Sequence, residues 1–374
     1  LAYNLKIFRG QAGFEHIASA WRAIVAQMAA PHFFQQPDWY GAYLATLDPR
    51  PDDTLFGLVS HDGVPAAVLP FKQERRAVGG IKLRTLELPR HDHLHLRDIV
   101  VRDASRDALG IEQIVRLLKD SGGLKWDVLA LWHVLADSCA LAAHRAGAAA
   151  RSIAAPRFGC SCVPLAPWSE VEARLSKNHR KNLRGAHNRT RSIEGLHIEI
   201  ATTPAELDAA LPALLAVEAS GWKAQAGTAI RLDPQLAQFY AEVTRRFGAA
   251  GRCEISLMKI HDKPIAGLFT LMSGPTVYGP KAAYDESHGR LSPVHLLVQD
   301  LFQRLGAQRQ YRQFNAISDT GWFDVWKPQR SEVHNLYVFN STLLGLGAFA
   351  AMSVANRWRH RPATPPQENL DRAA

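Results

Sequence analysis

Two short polar turns constrain this chain more than any other feature. They are His61-Asp62-Gly63-Val64-Pro65 and His261-Asp262-Lys263-Pro264. Each separates two apolar runs, residues 55–59 and 64–71 in the first case and 253–260 and 264–273 in the second. A polar turn between two such runs reads as a β-hairpin. Each hairpin is preceded by two helical patterns, residues 14–28 and 39–47 for the first and 204–218 and 236–247 for the second. Pro37 and Asp38 open one of these helices, and Thr203 is placed to cap another. Strand, helix and strand then follow. In the first half they are residues 82–88 and 98–101, then 111–118, then 128–131. In the second they are 276–284, then 294–305, then 314–317 and 335–339. Residues 140–150 and 171–192 read as further helices and 196–201 as a strand. The repeated order predicts an internal duplication of about 170 residues, divided near residues 159–167. The expected organisation is a first domain over 1–160, a second over 161–342, and a C-terminal helix and polar tail over 343–374. The fold class is α/β (α+β), with a mixed, mostly antiparallel sheet flanked by helices in each half.

Composition limits the function. The 374 residues are 47% hydrophobic and 21% charged, which excludes bulk disorder. Cys139, Cys160, Cys162 and Cys253 form no CxxC pair, and Cys160 and Cys162 are too close for an unstrained disulfide. Such thiols suit a reducing, cytoplasmic setting. The first ten residues carry no long apolar core, so no secretory leader is expected. The most apolar run, residues 343–355, is shorter than the ~20 residues a membrane span needs. Arg357, Trp358, Arg359 and Arg361 follow it. It reads either as a membrane-surface helix or as a buried terminal helix, and its apolar character on every face favours burial.

The net charge of +9 is concentrated. Between Arg174 and Gly195 lie seven bases and one acid, with Lys177, Arg180, Lys181, Arg184 and Arg191 at helical spacing on one face. Such a face can neutralise phosphates, or it can be a solvated helix surface. After the strand 276–284 the chain reads Asp285-Glu286-Ser287-His288-Gly289-Arg290-Leu291-Ser292-Pro293-Val294. Ser292 is expected to cap a helix that Pro293 begins, directing free amides and a positive dipole end at the loop. That is a generic pyrophosphate cradle, and Ser-Pro is equally a plain helix start. Glu218, at a helix end, precedes Trp222 and Lys223 and reads either as a candidate base or as a surface carboxylate. His91, His93 and His95 alternate, as on one strand face, yet lack a fourth ligand, so cleft-lining or surface roles outweigh a metal. There is no GxSxG, P-loop, GxGxxG or HExxH, and no recognisable nucleic-acid module, so no nucleic-acid partner is expected.

Phe33-Phe34-Gln35-Gln36-Pro37-Asp38-Trp39, the basic stretch 175–191, Glu218 with Trp222-Lys223, Lys281 with Tyr284, and Ser292-Pro293 occur in an order that resembles a known family. It is the group of bacterial acetyltransferases related to cellulose-biosynthesis proteins, the CelD/BcsL-like group, over roughly residues 20 to 340. Val294 stands where that family tends to have Gly. Its FDF…GD…YK stretch is represented by Phe314-Asn315-Ala316, Asp319-Thr320-Gly321, Phe323-Asp324 and Lys327. The resemblance implies tandem GNAT folds, as in Fem-type aminoacyl transferases. It implies transfer of an acyl group from acetyl-CoA or another acyl-CoA to an amine or hydroxyl of a small-molecule or saccharide acceptor, with no metal. On that footing Glu218 or Asp319 is the base, Tyr284 the acid for the leaving thiolate, and Lys281 the oxyanion or acceptor contact. His288, Gly289, Arg290, Ser292, Pro293 and Val294 hold the donor, while Trp222, Lys223, Arg180, Arg184 and Lys327 meet the acceptor. The competing expectations are a Fem-like ligase using charged tRNA, a non-catalytic scaffold for polysaccharide or membrane assembly, and a nucleic-acid binder.

Overall fold

The computed structural model describes residues 3–78, 80–149, 151–220, 227 and 229–359. The first half contains β1 (Tyr3–Arg9), α1 (Gly10–Val25), α2 (Pro37–Thr46), β2 (Thr54–His61), β3 (Val64–Val78), β4 (Ile81–Glu87), β5 (Val100–Val101), α3 (Ile111–Asp120), β6 (Val128–Leu135), α4 (Cys139–Arg145) and β7 (Ser152–Pro164). The second contains α5 (Trp168–Arg174), α6 (Lys177–Arg191), β8 (Leu196–Ala201), α7 (Pro204–Glu218), α8 (Pro234–Ala249), β9 (Cys253–Ile260), β10 (Lys263–Ser273), β11 (Thr276–Tyr284), α9 (Pro293–Gly306), β12 (Gln313–Asn315), β13 (Gln329–Phe339) and α10 (Leu343–Arg359).

The strands form one sheet in the order β1-β2-β3-β4-β6-β13-β7-β12-β11-β10-β9-β8, with β5 beside β3. The same order of pairing occurs in both halves. β1 to β4 pair antiparallel in sequence and β6 lies parallel to β4. Likewise β8 to β11 pair antiparallel and β12 lies parallel to β11. The last strands are exchanged. β13 pairs with β6 of the first half, β7 pairs with β12 of the second, and β7 and β13 pair with each other. The two halves are therefore interlocked by backbone hydrogen bonds, and the division drawn at 160/161 runs through β7.

Two strands escape a reading of the sequence. β7 contains Pro156 and Gly159 and lacks clean alternation. Pro156 sits beside the register shift with β13, between Val333 and His334, where a missing N–H is tolerated. β1 is a short edge strand whose Leu5 and Ile7 only partly enter the core. The stretch read as one helix over 171–192 is two, because Ser176 accepts a hydrogen bond from His179 N and starts α6 afresh.

The core that joins the halves lies on one face of the sheet. Trp21, Phe33, Phe34, Trp39 and Phe56 from the first half share a cluster with Leu214, Phe239, Tyr240 and Phe269 from the second. Its polar seam is fully partnered at several points. Asp38 takes Arg22 at 3.3 Å and Arg252 at 2.8 Å, and Gln36 donates to Ser273 Oγ at 3.0 Å. On the opposite face α9 packs against β10 and β11, with Phe302 and Leu297 fully buried. The expectation that residues 343–355 are buried does not hold. Ala348 is buried, but Leu343, Leu344, Leu346 and Val354 of α10 are exposed. No described helix is long and apolar enough to cross a membrane.

Asp98 lies in the seam. It accepts hydrogen bonds from Ile99 N at 2.8 Å and Ser138 Oγ at 3.1 Å, and burial pushes its carboxyl up to about 7. A carboxyl whose folded pKa lies above the usual 3.8 keeps its proton in the folded state longer than in the unfolded one. Stability then falls as pH rises from about 4 to about 7 and is level above that. Urea midpoints measured at pH 5 and pH 8 should show this fall in the native chain and a smaller one in Asp98→Asn. An equal fall in both would mean that another group carries the dependence.

Candidate active site

The site begins where the sheet splits. β11 pairs with β12 only over Thr276–Tyr278, opposite Gln313–Asn315. On its other edge it stays paired with β10 as far as Tyr284, with one extra residue between Tyr278 and Lys281. That bulge holds Gly279 and Pro280. A Cβ on Gly279 would lie 2.4 Å from the Phe314 ring, so the glycine lets β12 pack against the point of divergence. Beyond Gly279 the β12-facing edge of β11 is open, which leaves backbone groups to meet a ligand.

A cleft of about 570 Å³ fills the opening. Ala282 and Tyr284 of β11, Gly289, the start of α9 and Trp322 line it. The loop before α9 is anchored by Asp285, which accepts from Ser287 N at 3.0 Å and Ser287 Oγ at 2.7 Å. Those hydrogen bonds hold its carboxyl below the usual range. Ser292 stands at the N-cap position, but not as the sequence predicts. Its φ is 54° and its side chain makes no capping hydrogen bond. Leu296 N makes the first intrahelical bond, to Ser292 O, and Pro293 has no N–H. The Val294 and His295 amides belong to the turn that a helix leaves without an internal acceptor. They and the helix dipole suit an anion.

A second cleft, of about 340 Å³, shares Ser292 and His295 and is bounded by His179, Lys181, Asn182 and Arg189 of α6. The buried stripe of α6 is His179, Leu183, Ala186 and Thr190. Arg180 and Arg184 lie about 60–100° around the helix from Leu183, on the side away from Asn182 and Arg189. The sequence reading missed His179 and His295. Their ring centroids are 5.6 Å apart, and His179 Nε2 and His295 Nδ1 are buried without a partner among the described residues. Burial pushes His179 down to about 4 and lowers His295, so both rings are neutral at pH 7. The available signal was position, since His179 opens the basic helix and His295 follows Ser292 by three.

Successive residues of a strand face opposite sides. Ala282 and Tyr284 therefore line the larger cleft, while Lys281 turns to the seam between the halves. There its Nζ lies 5.7 Å from the centroid of the Tyr240 ring. Tyr240 Oη is 2.9 Å from His93 Nδ1. His95 is pushed down to about 4, first by burial and then by Lys281. Glu218 is buried at the end of α7 and accepts from Ile230 N at 2.9 Å. The predicted Glu218 and Lys281 thus come together with Tyr240, His93 and His95. Residues 91–95 form no strand; their rings follow one another, with centroids 5.8 and 6.2 Å apart. No group of three metal-ligating side chains occurs among the described residues.

The other predicted residues are more scattered. His288 and Arg290 are in the anchored loop, and Arg290 is exposed. Asp319 is exposed beside Gly159 of β7, one residue before Thr320 of the larger cleft. Lys327 is exposed and left-handed, with φ 55°, after the turn Gly321–Trp326. Trp222 and Lys223 lie outside the described residues.

Residues 177–319 match the family described as the acetyltransferase (GNAT) domain, and a split strand beside a helix N-terminus sits inside that segment. The fold is of the GNAT type. Solved structures agree at the level of fold. FemX superposes with a TM-score of 0.60 at 11% identity, over 86% of this chain and 96% of its own. L-PGS from Bacillus licheniformis gives 0.53 at 15% identity, over 89% and 96%. A conserved protein of unknown function from Bacteroides thetaiotaomicron gives 0.56 at 13%, over 86% and 97%. No curated protein matches the chain.

The geometry at Ser292 makes a quantitative prediction. Thr203 does cap α7, in a box with Glu206, so Thr203→Ala should cost about 1 kcal/mol of unfolding free energy. Ser292→Ala should cost under about 0.5 kcal/mol, because no cap is lost. A cost of about 1 kcal/mol at Ser292 in urea titrations would contradict the geometry.

Proposed function

We propose that the protein is an acyltransferase that takes an acetyl or other acyl group from acyl-CoA and passes it directly to an amine or hydroxyl of a small-molecule or saccharide acceptor. The observation that carries this reading is the parting of β11 from β12 after Tyr278, next to the uncapped start of α9. Acyl-CoA would supply a thioester carbonyl and a pyrophosphate. The open edge of β11 offers backbone amides for the carbonyl oxygen, and Val294 N and His295 N suit the pyrophosphate. Arg189 and Lys181, across the adjoining cleft, add positive charge. Tyr284, 42% exposed at the cleft, is suited to protonate the leaving thiolate.

The acceptor would approach from the other face of β11, through the seam. Lys281 is the group there suited to hold an anionic acceptor or the developing oxyanion. Glu218 on this face and Asp319 beside the larger cleft remain the proposed bases, and Trp222, Lys223 and Lys327 the proposed acceptor contacts; Arg180 and Arg184, proposed for the same role from the sequence, stand on the side of α6 away from the clefts. In the transfer a carbon–sulfur bond breaks as a carbon–nitrogen or carbon–oxygen bond forms. The acceptor's proton goes to the base, and the thiolate takes one from the acid. A covalent enzyme intermediate is disfavoured because burial raises all four thiols, Cys139 to about 12 and Cys162 to about 11.

The first half, residues 1–160, would not bind donor. Where the second half has a short loop and α9, the first sends residues 88–99 to the seam and starts α3 only at Ile111. A polysaccharide-biosynthesis setting, as the CelD/BcsL-like resemblance implies, goes with this proposal, and a non-catalytic scaffold in envelope or polysaccharide assembly is its alternative. One observation favours a second reading, a Fem-like transferase using charged tRNA. The basic face of α6 carries exposed Lys177 and Arg184, directed away from the clefts.

Titration calorimetry with acetyl-CoA should give a 1:1 complex. Lys281→Ala should keep that affinity while lowering kcat/KM about 10²-fold. Unchanged kcat/KM would remove Lys281 from the mechanism. Binding of charged tRNA without binding of acetyl-CoA would favour the second reading, and binding of neither would favour a scaffold.

A further inference from the structure

The outer face of α10 is unsuited to water. The inner side packs through Ala348, Phe349 and Met352 on a small cluster with Phe339 and Val78. The outer side carries Leu343, 90% exposed, with Leu344, Leu346 and Val354 at 49, 40 and 57%. At about 100° per residue, these with Gly347, Ala350 and Ala351 cover roughly half of the helix cylinder. No charged residue occurs from Leu343 to Ala355. A continuous apolar surface of this kind marks a docking face.

Its surroundings indicate what docks. Beside the start of α10 is a cleft of about 260 Å³ with an apolar floor that includes Ile111, Val115 and Phe339. Arg116, Lys119 and Arg151 stand on its walls with a single acid, Glu112. Lys119 Nζ reaches Ser341 Oγ at 3.3 Å, two residues before the helix. Arg151 Nε is buried without an acceptor among the described residues. The last turn of the helix adds Arg357 and Arg359 to the sequence. An apolar face beside a basic cleft complements acyl chains edged by phosphates. A second copy of the chain would set these cations against cations wherever the rims met.

We propose that α10 seats the protein on the surface of an anionic phospholipid membrane as an interfacial helix, with Arg116, Lys119 and Arg151 receiving a lipid phosphate. The seat is independent of the acyltransferase reading. Flotation of the full chain with phosphatidylcholine vesicles, alone or mixed with phosphatidylglycerol, tests it. The mixed vesicles should bind more tightly, and binding should weaken with salt. Leu343→Glu with Val354→Glu should reduce binding at least about tenfold. Arg116→Ala and Lys119→Ala should each reduce it about fivefold, at unchanged thermal midpoint. Failure of the native chain to bind mixed vesicles would overturn the proposal. So would equal binding by the glutamate variant, or a solution dimer dissolved by that variant without vesicle binding.

Discussion

The larger cleft depends on one hydrogen-bond ladder that stops early. β11 and β12 run together for three residue pairs and end at Tyr278 opposite Asn315. Tyr278 is completely buried, and its hydroxyl lies 2.6 Å from His32 Nδ1 in the first half. Phe33 packs edge-on to the same ring, with centroids 4.8 Å apart. The last paired residue is thereby pinned from across the seam, and the bulge at Gly279 and Pro280 directs β11 away immediately afterwards. A ladder that continued would cover the edge on which the proposed chemistry relies.

The same pinning explains why two halves are needed. The motif at 33–39, which looks like a family signature in sequence, packs against Tyr278 and Phe239 of the second half. The exchange of β7 and β13 ties the sheet together from the other side. β11 then separates two environments. Tyr284 faces a cleft near a helix N-terminus, and Lys281 faces a polar seam with Tyr240, His93 and His95. In the proposed transfer, donor and acceptor would meet across this single strand.

Much of this was legible in the residues. The two hairpins, the order of elements in each half, and the helix begun by Pro293 all follow from local turn chemistry and apolar periodicity. The exchange was not legible, because strand partners far apart in sequence leave no local pattern, and Pro156 and Gly159 disguise β7. Ser292 misled for a specific reason. Ser before Pro is a frequent capping pair, but Ser292 has φ 54°, a conformation that residue type does not signal. His179 and His295 went unread because a histidine inside a basic or apolar helix looks ordinary until its neighbours are known. The uniform apolarity of residues 343–355 suggested burial, whereas the fold covers only one side of α10.

Hydrogen–deuterium exchange with and without acetyl-CoA decides whether the open edge of β11 and the start of α9 take the donor. Slower exchange is expected at the amides of Val294 and His295 and along residues 281–284, with little change at β4 and β6. Protection confined to the first half, or no protection at the start of α9 under saturating acetyl-CoA, would contradict that placement.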